Sequence, residues 1–196
     1  MADLQDLFIS KTRVKLLEIF FSQPRKIFYV RQLVRLTDEQ INAVRRELAR
    51  MEAKKIASKE ERGNRIYYRL REDYPFYAEL LVLVAKTTGL GGQIIQNKEK
   101  IGRVKFAMLS GRFSRGLSRQ KDSVALLLVG EIVLPQVTAF VRAEEVRRKE
   151  EVNYTIMTEE EFNFRKRRRD PFITKVLTGS RVMLIGDEEK MLEGLE

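Results

Sequence analysis

Along the first part of the chain, apolar residues recur three and four positions apart, the spacing of helices buried on one side. In SKTRVKLLEIFF, Val14, Leu17 and Ile19 to Phe21 predict a helix over 10–21, capped by Ser10 and stopped by Gln23 and Pro24. An extended piece over 26–29 leads into a second helix over 30–36, with Leu33, Val34 and Leu36 inward and Arg31 and Arg35 outward. The third, TDEQINAVRRELARMEAKK over 37–55, carries the fullest pattern. Thr37 with Gln40 reads as a capping box, and Asp38 and Glu39 suit the positive end of the helix dipole. Ile41, Val44, Leu48 and Met51 form one apolar stripe, while Asn42, Ala43, Arg45, Arg46 and Arg50 fall away from it. After Lys55 the pattern switches to alternation. IASKE and RIYYRL predict the strands of a hairpin, separated by 61–64, where Gly63 and Asn64 can adopt the positive φ of a tight turn. Pro75 opens a strongly apolar helix over 76–88, which predicts packing on a partner chain or on the next domain.

GLGG at 89–92 is the clearest break in the pattern. It predicts a linker over 89–94 between a first domain, 1–88, and a second, 95–196. Beyond it a short helix is expected over 93–101, then two continuous apolar runs, VKFAML at 104–109 and VALLLV at 124–129, which read as buried strands. A helix over 136–148, a strand over 152–157, a helix starting at Thr158 and a last strand over 182–185 complete the pattern. The fold class this predicts is α/β (α+β), with a small sheet covered mainly on one side.

Composition narrows the chemistry. The 196 residues include no Cys and no His, which excludes zinc fingers, disulfide frameworks, Cys nucleophiles and His-dependent triads. No cofactor and no metal is expected. No apolar run reaches the ~20 residues that span a bilayer, and MADLQDLFISK lacks the features of a signal peptide, so a cytoplasmic protein with no membrane partner is expected. The net charge is +10, and its distribution matters more than its size. Residues 11–71 hold 17 Lys and Arg against 7 Asp and Glu, whereas the remainder balances at 21 against 21. A surplus concentrated in this way points to a polyanion. RKRRR at 165–169 is the densest charge run, and reads as a second nucleic-acid contact, a localisation signal or the exposed end of a helix.

Three helices followed by a hairpin with Lys59, Arg62 and Arg65 near its tip resemble the winged helix-turn-helix regulators of the ArsR and MarR type. The segment FYVRQLVRLTDEQINAVRRELARMEAKKIASKEERGNRIYYRL carries the likeness. The resemblance implies double-stranded DNA as the partner and a homodimer. It places Asn42, Ala43, Arg45 and Arg46 in the major groove and Arg62, Asn64 and Arg65 on the wing, leaving Lys11, Arg13, Arg31, Lys59, Arg62 and Arg65 for backbone phosphates. The Cys pairs of metal-sensing members are absent.

MLSGRFSRGLSRQKDSVALLLVG, with NYTIMTEEEF and DPFITKVLTGSRVMLIGD, resembles the minimal nucleotidyltransferases of the polymerase-β-like superfamily. In active members a Gly-Ser turn cradles phosphates, and two carboxylates one residue apart on a strand hold Mg²⁺. Here Arg112 follows Gly111, and Ser123 and Ala125 occupy the carboxylate positions. Asp122 is one residue out of register, and VNYT offers only Asn153, Tyr154 and Thr155 where a third acid is expected. The expectation is a domain that does not catalyse and serves dimerisation, a protein partner or a nucleotide ligand. Gly111, Arg112 and Arg115 are its residual phosphate-binding candidates, within a loop that also carries Arg119 and Lys121. The alternative is an active nucleotidyltransferase that modifies a protein or RNA and uses Asp122.

Overall fold

A computed structural model of the chain describes residues 4–117, 120 and 123–194. Helices and strands are mixed in an α+β arrangement. The chain divides into two compact units, Met1–Val84 and Ala85–Glu196.

In the first unit, α1 (Leu4–Leu7) precedes α2 (Lys11–Ser22), whose cap is Ser10, its Oγ accepting from the Arg13 N–H. After β1 (Phe28–Tyr29) come α3 (Val30–Thr37), α4 (Ile41–Ala53), β2 (Ala57–Arg62), β3 (Arg65–Leu70) and α5 (Tyr77–Thr87). The strands form an antiparallel sheet in the order β1-β3-β2. Its inward face supplies Phe28, Ala57, Tyr68 and Leu70 to a core with Leu16, Phe20, Leu33, Val44, Leu48 and Met51. The hairpin closes through Gly63 and Asn64 alone, with Arg62 opposite Arg65. Gly63 takes φ 55° and Asn64 stays at negative φ, the type II′ pattern with glycine first.

Three expectations for this unit are corrected. Thr37 does not start a helix; it is the last residue of α3, buried, and its hydroxyl donates to the Leu33 and Val34 carbonyls. Asp38 then turns the chain at φ 51°, and α4 starts at Ile41 with no side-chain cap from Gln40. Leu36 and Ile41 are exposed, because they flank this turn and lie beyond the reach of the core. The apolar α5 finds its partner within the unit, burying Leu81 and Val84 and setting Tyr77 against Phe21 at 5.3 Å between ring centres.

The second unit contains α6 (Gly89–Gln96), β4 (Gly102–Ser110), α7 (Gly111–Ser114), β5 (Leu126–Ile132), α8 (Leu134–Arg148), β6 (Tyr154–Met157), α9 (Glu159–Arg167), α10 (Pro171–Thr178), β7 (Arg181–Ile185) and α11 (Glu188–Leu192). The sheet order is β6-β5-β4-β7, with β5 and β6 parallel and the other pairs antiparallel. Both faces of this sheet are covered, not mainly one. Phe106, Met108, Leu127, Val129 and Met157 pack with Phe162, Ile173, Leu177 and Met191 from α9, α10 and α11. The alternate residues Ala107, Leu109, Leu126 and Leu128 are equally buried, facing the side where α6 approaches Leu109.

The expected linker over 89–94 lies in α6, where Leu90, Gly91, Gly92 and Ile94 are buried. A Cβ on Gly91 would stand 2.0 Å from the Ala85 carbonyl oxygen. The glycines there permit close packing, not chain freedom. RKRRR ends α9: Arg165 pairs with Glu161, Lys166 is buried and donates to the Met191 carbonyl, and Arg167, Arg168 and Arg169 are exposed. Among the described residues, no single helix is long and apolar enough to cross a membrane.

Candidate nucleic-acid interface

The position of α4 is fixed from two sides. Val44, Leu48 and Met51 are fully buried. Beside them Glu47, 2% exposed, accepts from Arg13 and from the Ser10 hydroxyl at 3.2 Å, with the Arg50 guanidinium at 3.5 Å. Arg13 therefore braces α4 and is not a spare phosphate ligand. Lys15 reaches across to the Thr37 carbonyl at 2.9 Å and to Glu39 at 2.7 Å, tying α2 to the turn between α3 and α4. On the opposite side of α4, Asn42, Arg45 and Arg46 are exposed and Ala43 half-buried.

Arg31, Arg45, Asn64 and Arg65 line one open groove of about 710 Å³, together with Tyr29 and Arg35. Helix α3 contributes Arg31 and Arg35, α4 contributes Arg45, and the hairpin tip contributes Asn64 and Arg65. Arg35 donates to the Tyr29 hydroxyl, and the Arg35 and Arg65 guanidinium groups lie 5.9 and 5.2 Å from the Tyr29 ring centre. Stacking on an aromatic face restricts an arginine without removing its charge. Asn42, Ala43 and Arg46 share α4 but do not line this groove, and Lys11 is exposed at the start of α2.

Two expected phosphate ligands are already paired. Lys59 lies 2.6 Å from Glu61, and Arg62 makes a two-pronged contact with Glu60 at 2.7 and 2.9 Å. Hydrogen bonds from these bases hold both carboxyl groups below the ordinary range, so each pair is charged and locally neutral at pH 7. Sequence reasoning missed Glu47 as the brace of α4 and Tyr29 as the ring beneath two arginines. Glu47 carried a signal, since it falls between Val44 and Leu48 on the inward side. Tyr29 lies in a strand too short to show alternation.

In the second unit, Ser110 caps α7, its Oγ accepting from the Phe113 N–H at 3.3 Å. The Gly111 N–H donates to the Ser180 carbonyl at 2.6 Å, and a Cβ on Gly111 would meet the Ser180 hydroxyl at 2.1 Å. Arg115 donates to that hydroxyl at 2.8 Å. Donors that would cradle a phosphate are thus engaged within the protein. The adjacent cleft, lined by Arg112, Phe113, Ser123, Ala125, Arg148, Glu150, Glu151 and Asn153, holds about 30 Å³, the space of one water.

Asn153 donates to the Ser123 carbonyl at 3.1 Å, and the Ala125 N–H donates to the Asn153 carbonyl at 2.7 Å. Arg119, Lys121 and Asp122 lie outside the described residues. Among those described, no group of three or more acids could hold a metal ion. Arg148 lies 3.7 Å above the Phe113 ring and donates to Glu144, which also accepts from Arg147. Burial alone would push the Glu144 carboxyl up, but these hydrogen bonds outweigh it and hold the group below its ordinary value. Burial pulls Arg148 down and Glu144 counters in part; a guanidinium titrates so high that it stays charged.

No protein-family model, no curated protein and no solved structure matches the chain.

Proposed function

We propose that the protein is a sequence-specific regulator of transcription that binds double-stranded DNA. Its first unit acts as a winged helix-turn-helix, with α4 entering the major groove and the β2–β3 hairpin as the wing. The observation that carries this reading is the shared groove of Arg31, Arg45, Asn64 and Arg65, drawn from two helices and the hairpin tip. Arg45 and its neighbours Asn42 and Arg46 read base edges, and Arg31 and Arg65 hold phosphates. The second unit is a nucleotidyltransferase-like domain in which strand β4, short helix α7 and strand β5 follow the order that the resemblance implies. With Ser123 and Ala125 at the metal positions, it serves dimerisation or the binding of a partner or ligand in place of catalysis. The protein acts in the cytoplasm as a homodimer.

Fluorescence anisotropy against duplexes from upstream of the protein's own coding region, beside a scrambled duplex, tests the reading. One fragment should be preferred as salt rises, and Arg45→Ala should cost about 1–3 kcal/mol and relax preference at one base pair. Equal binding to all duplexes, or full affinity in both Arg45→Ala and Arg46→Ala, would sink it.

Glu150 and Glu151, at the cleft that also contains Ser123, keep one rival reading in play: an active transferase modifying a protein or RNA. Transfer of label from a nucleoside triphosphate with Mg²⁺, abolished in Asp122→Ala or Glu151→Gln, would establish it.

A further inference from the structure

The sheet of the first unit has an outward face of which the duplex reading uses only the end at Tyr29 and Arg65. Register sets Glu60 opposite Tyr67, Arg62 opposite Arg65 and Ser58 opposite Arg69, with Tyr29 of β1 opposite Tyr67 on its other side. Alternation points these residues away from Phe28, Tyr68 and Leu70, which fill the core. The outward face therefore carries two tyrosines side by side among arginines.

The two rings lie 6.1 Å apart, and both are half-buried, leaving part of each open. Arg62 stands 5.5 Å from the Tyr67 ring centre and Arg65 stands 5.2 Å from that of Tyr29. Arg69 is exposed at the far end, 3.3 Å from the Ser58 hydroxyl. Glu60 is the one acid among the outward hairpin positions, and Arg62 pairs with it.

We propose that this face is a second nucleic-acid site, on which an unpaired RNA or DNA strand stacks its bases against Tyr29 and Tyr67 while Arg65 and Arg69 hold its phosphates. A duplex keeps its base faces inside its own stack and could use only the guanidinium groups. An unpaired strand presents base faces and phosphates together, which matches tyrosines set among cations. Sequence preference is expected to be weak, since every base has a face to stack.

The site shares Tyr29 and Arg65 with the groove beside α4, so a bound single strand and a bound duplex should compete. Tyr67 and Arg69 belong to the sheet face alone and make the two sites separable.

The test uses the full chain and labelled oligonucleotides of one length: oligo-uridylate, oligo-thymidylate and an abasic strand with phosphates but no bases. The chain has six Tyr and no Trp, so tyrosine emission, corrected for absorption by the bases, reports stacking free of tryptophan emission. Base-bearing strands should quench this emission and bind at least about tenfold more tightly than the abasic strand. Tyr67→Ala should lose about tenfold in strand affinity, Tyr67→Phe should keep it, and neither should change duplex binding by more than about twofold.

Stronger binding of uridylate would identify RNA as the occupant through its 2′-hydroxyls, and equal binding would identify any unpaired strand. The proposal is overturned if the abasic strand binds as tightly as the others, or if Tyr67→Ala retains full strand affinity. It is equally overturned if Tyr67→Ala and Tyr67→Phe, both shown folded by thermal unfolding, weaken binding alike. These readouts stand whether or not a preferred duplex is found.

Discussion

Two buried glutamates illustrate how single side chains set this molecule's geometry. Glu47 joins α4 to the start of α2 through Arg13 and Ser10. Replacing it with Gln removes a charge that anchors hydrogen bonds, so Glu47→Gln should lower stability by about 1.5–3 kcal/mol, read from urea denaturation. Glu144 has a folded pKa below its ordinary value of 4.5, so its contribution is complete above that value and disappears as pH falls through the folded one. Glu144→Gln should thus lower Tm at neutral pH, with the gap from wild type closing below about pH 4 in a thermal-unfolding series. At this scale the sequence was informative where burial follows period: Val44, Leu48 and Met51 inward, Asn42, Arg45 and Arg46 outward. It misled at Thr37, because the spacing of a capping box does not reveal whether the hydroxyl will bond forward into a new helix or back into the one just ended.

Among the elements, those with strong side-chain caps were legible. Ser10 starts α2 and Thr158 starts α9, each accepting the N–H expected of it. Helix α10 was passed over although Asp170 and Pro171 form a clear start, because PFITKVLT is too short to develop a periodic face. GLGG misled for a different reason: glycine serves a flexible tether and a close helix contact equally well, and only the neighbour distinguishes them. Gly91→Ala would drive a methyl into the Ala85 carbonyl, so where the same change in an open helix position would stabilise by about 1 kcal/mol, here it should destabilise by about 2–4 kcal/mol. Calorimetry should place that loss in the transition of the second unit. Gly63, with nothing within 4 Å of its Cβ position, provides the contrast. Gly63→Ala should cost only the backbone strain of φ 55°, about 1–2 kcal/mol.

For the whole molecule, the concentration of charge in residues 11–71 was visible by counting, whereas its local cancellation at Lys59–Glu61 and Arg62–Glu60 was not. Groove arginines Arg31, Arg35, Arg45 and Arg65 lack such acid partners among the described ion pairs, so they should dominate the salt dependence of duplex binding. If Arg31, Arg35 and Arg65 each meet one phosphate while Arg45 reads a base, log affinity should fall against log salt with a slope of about −2.7, and Arg31→Ala should reduce the slope by about one unit. The second unit's sheet carries a consequence for biosynthesis. Its central strands, β4 and β5, are translated first, and the flanking strands, β6 and β7, emerge later. Until β7 arrives, the nascent hairpin offers the apolar edge of Ala107, Met108 and Leu109 to any passing strand. A ribosome that stalls before Arg181 would therefore release a sticky fragment, and chains cut short at Ser180 should scatter light where the complete chain stays clear.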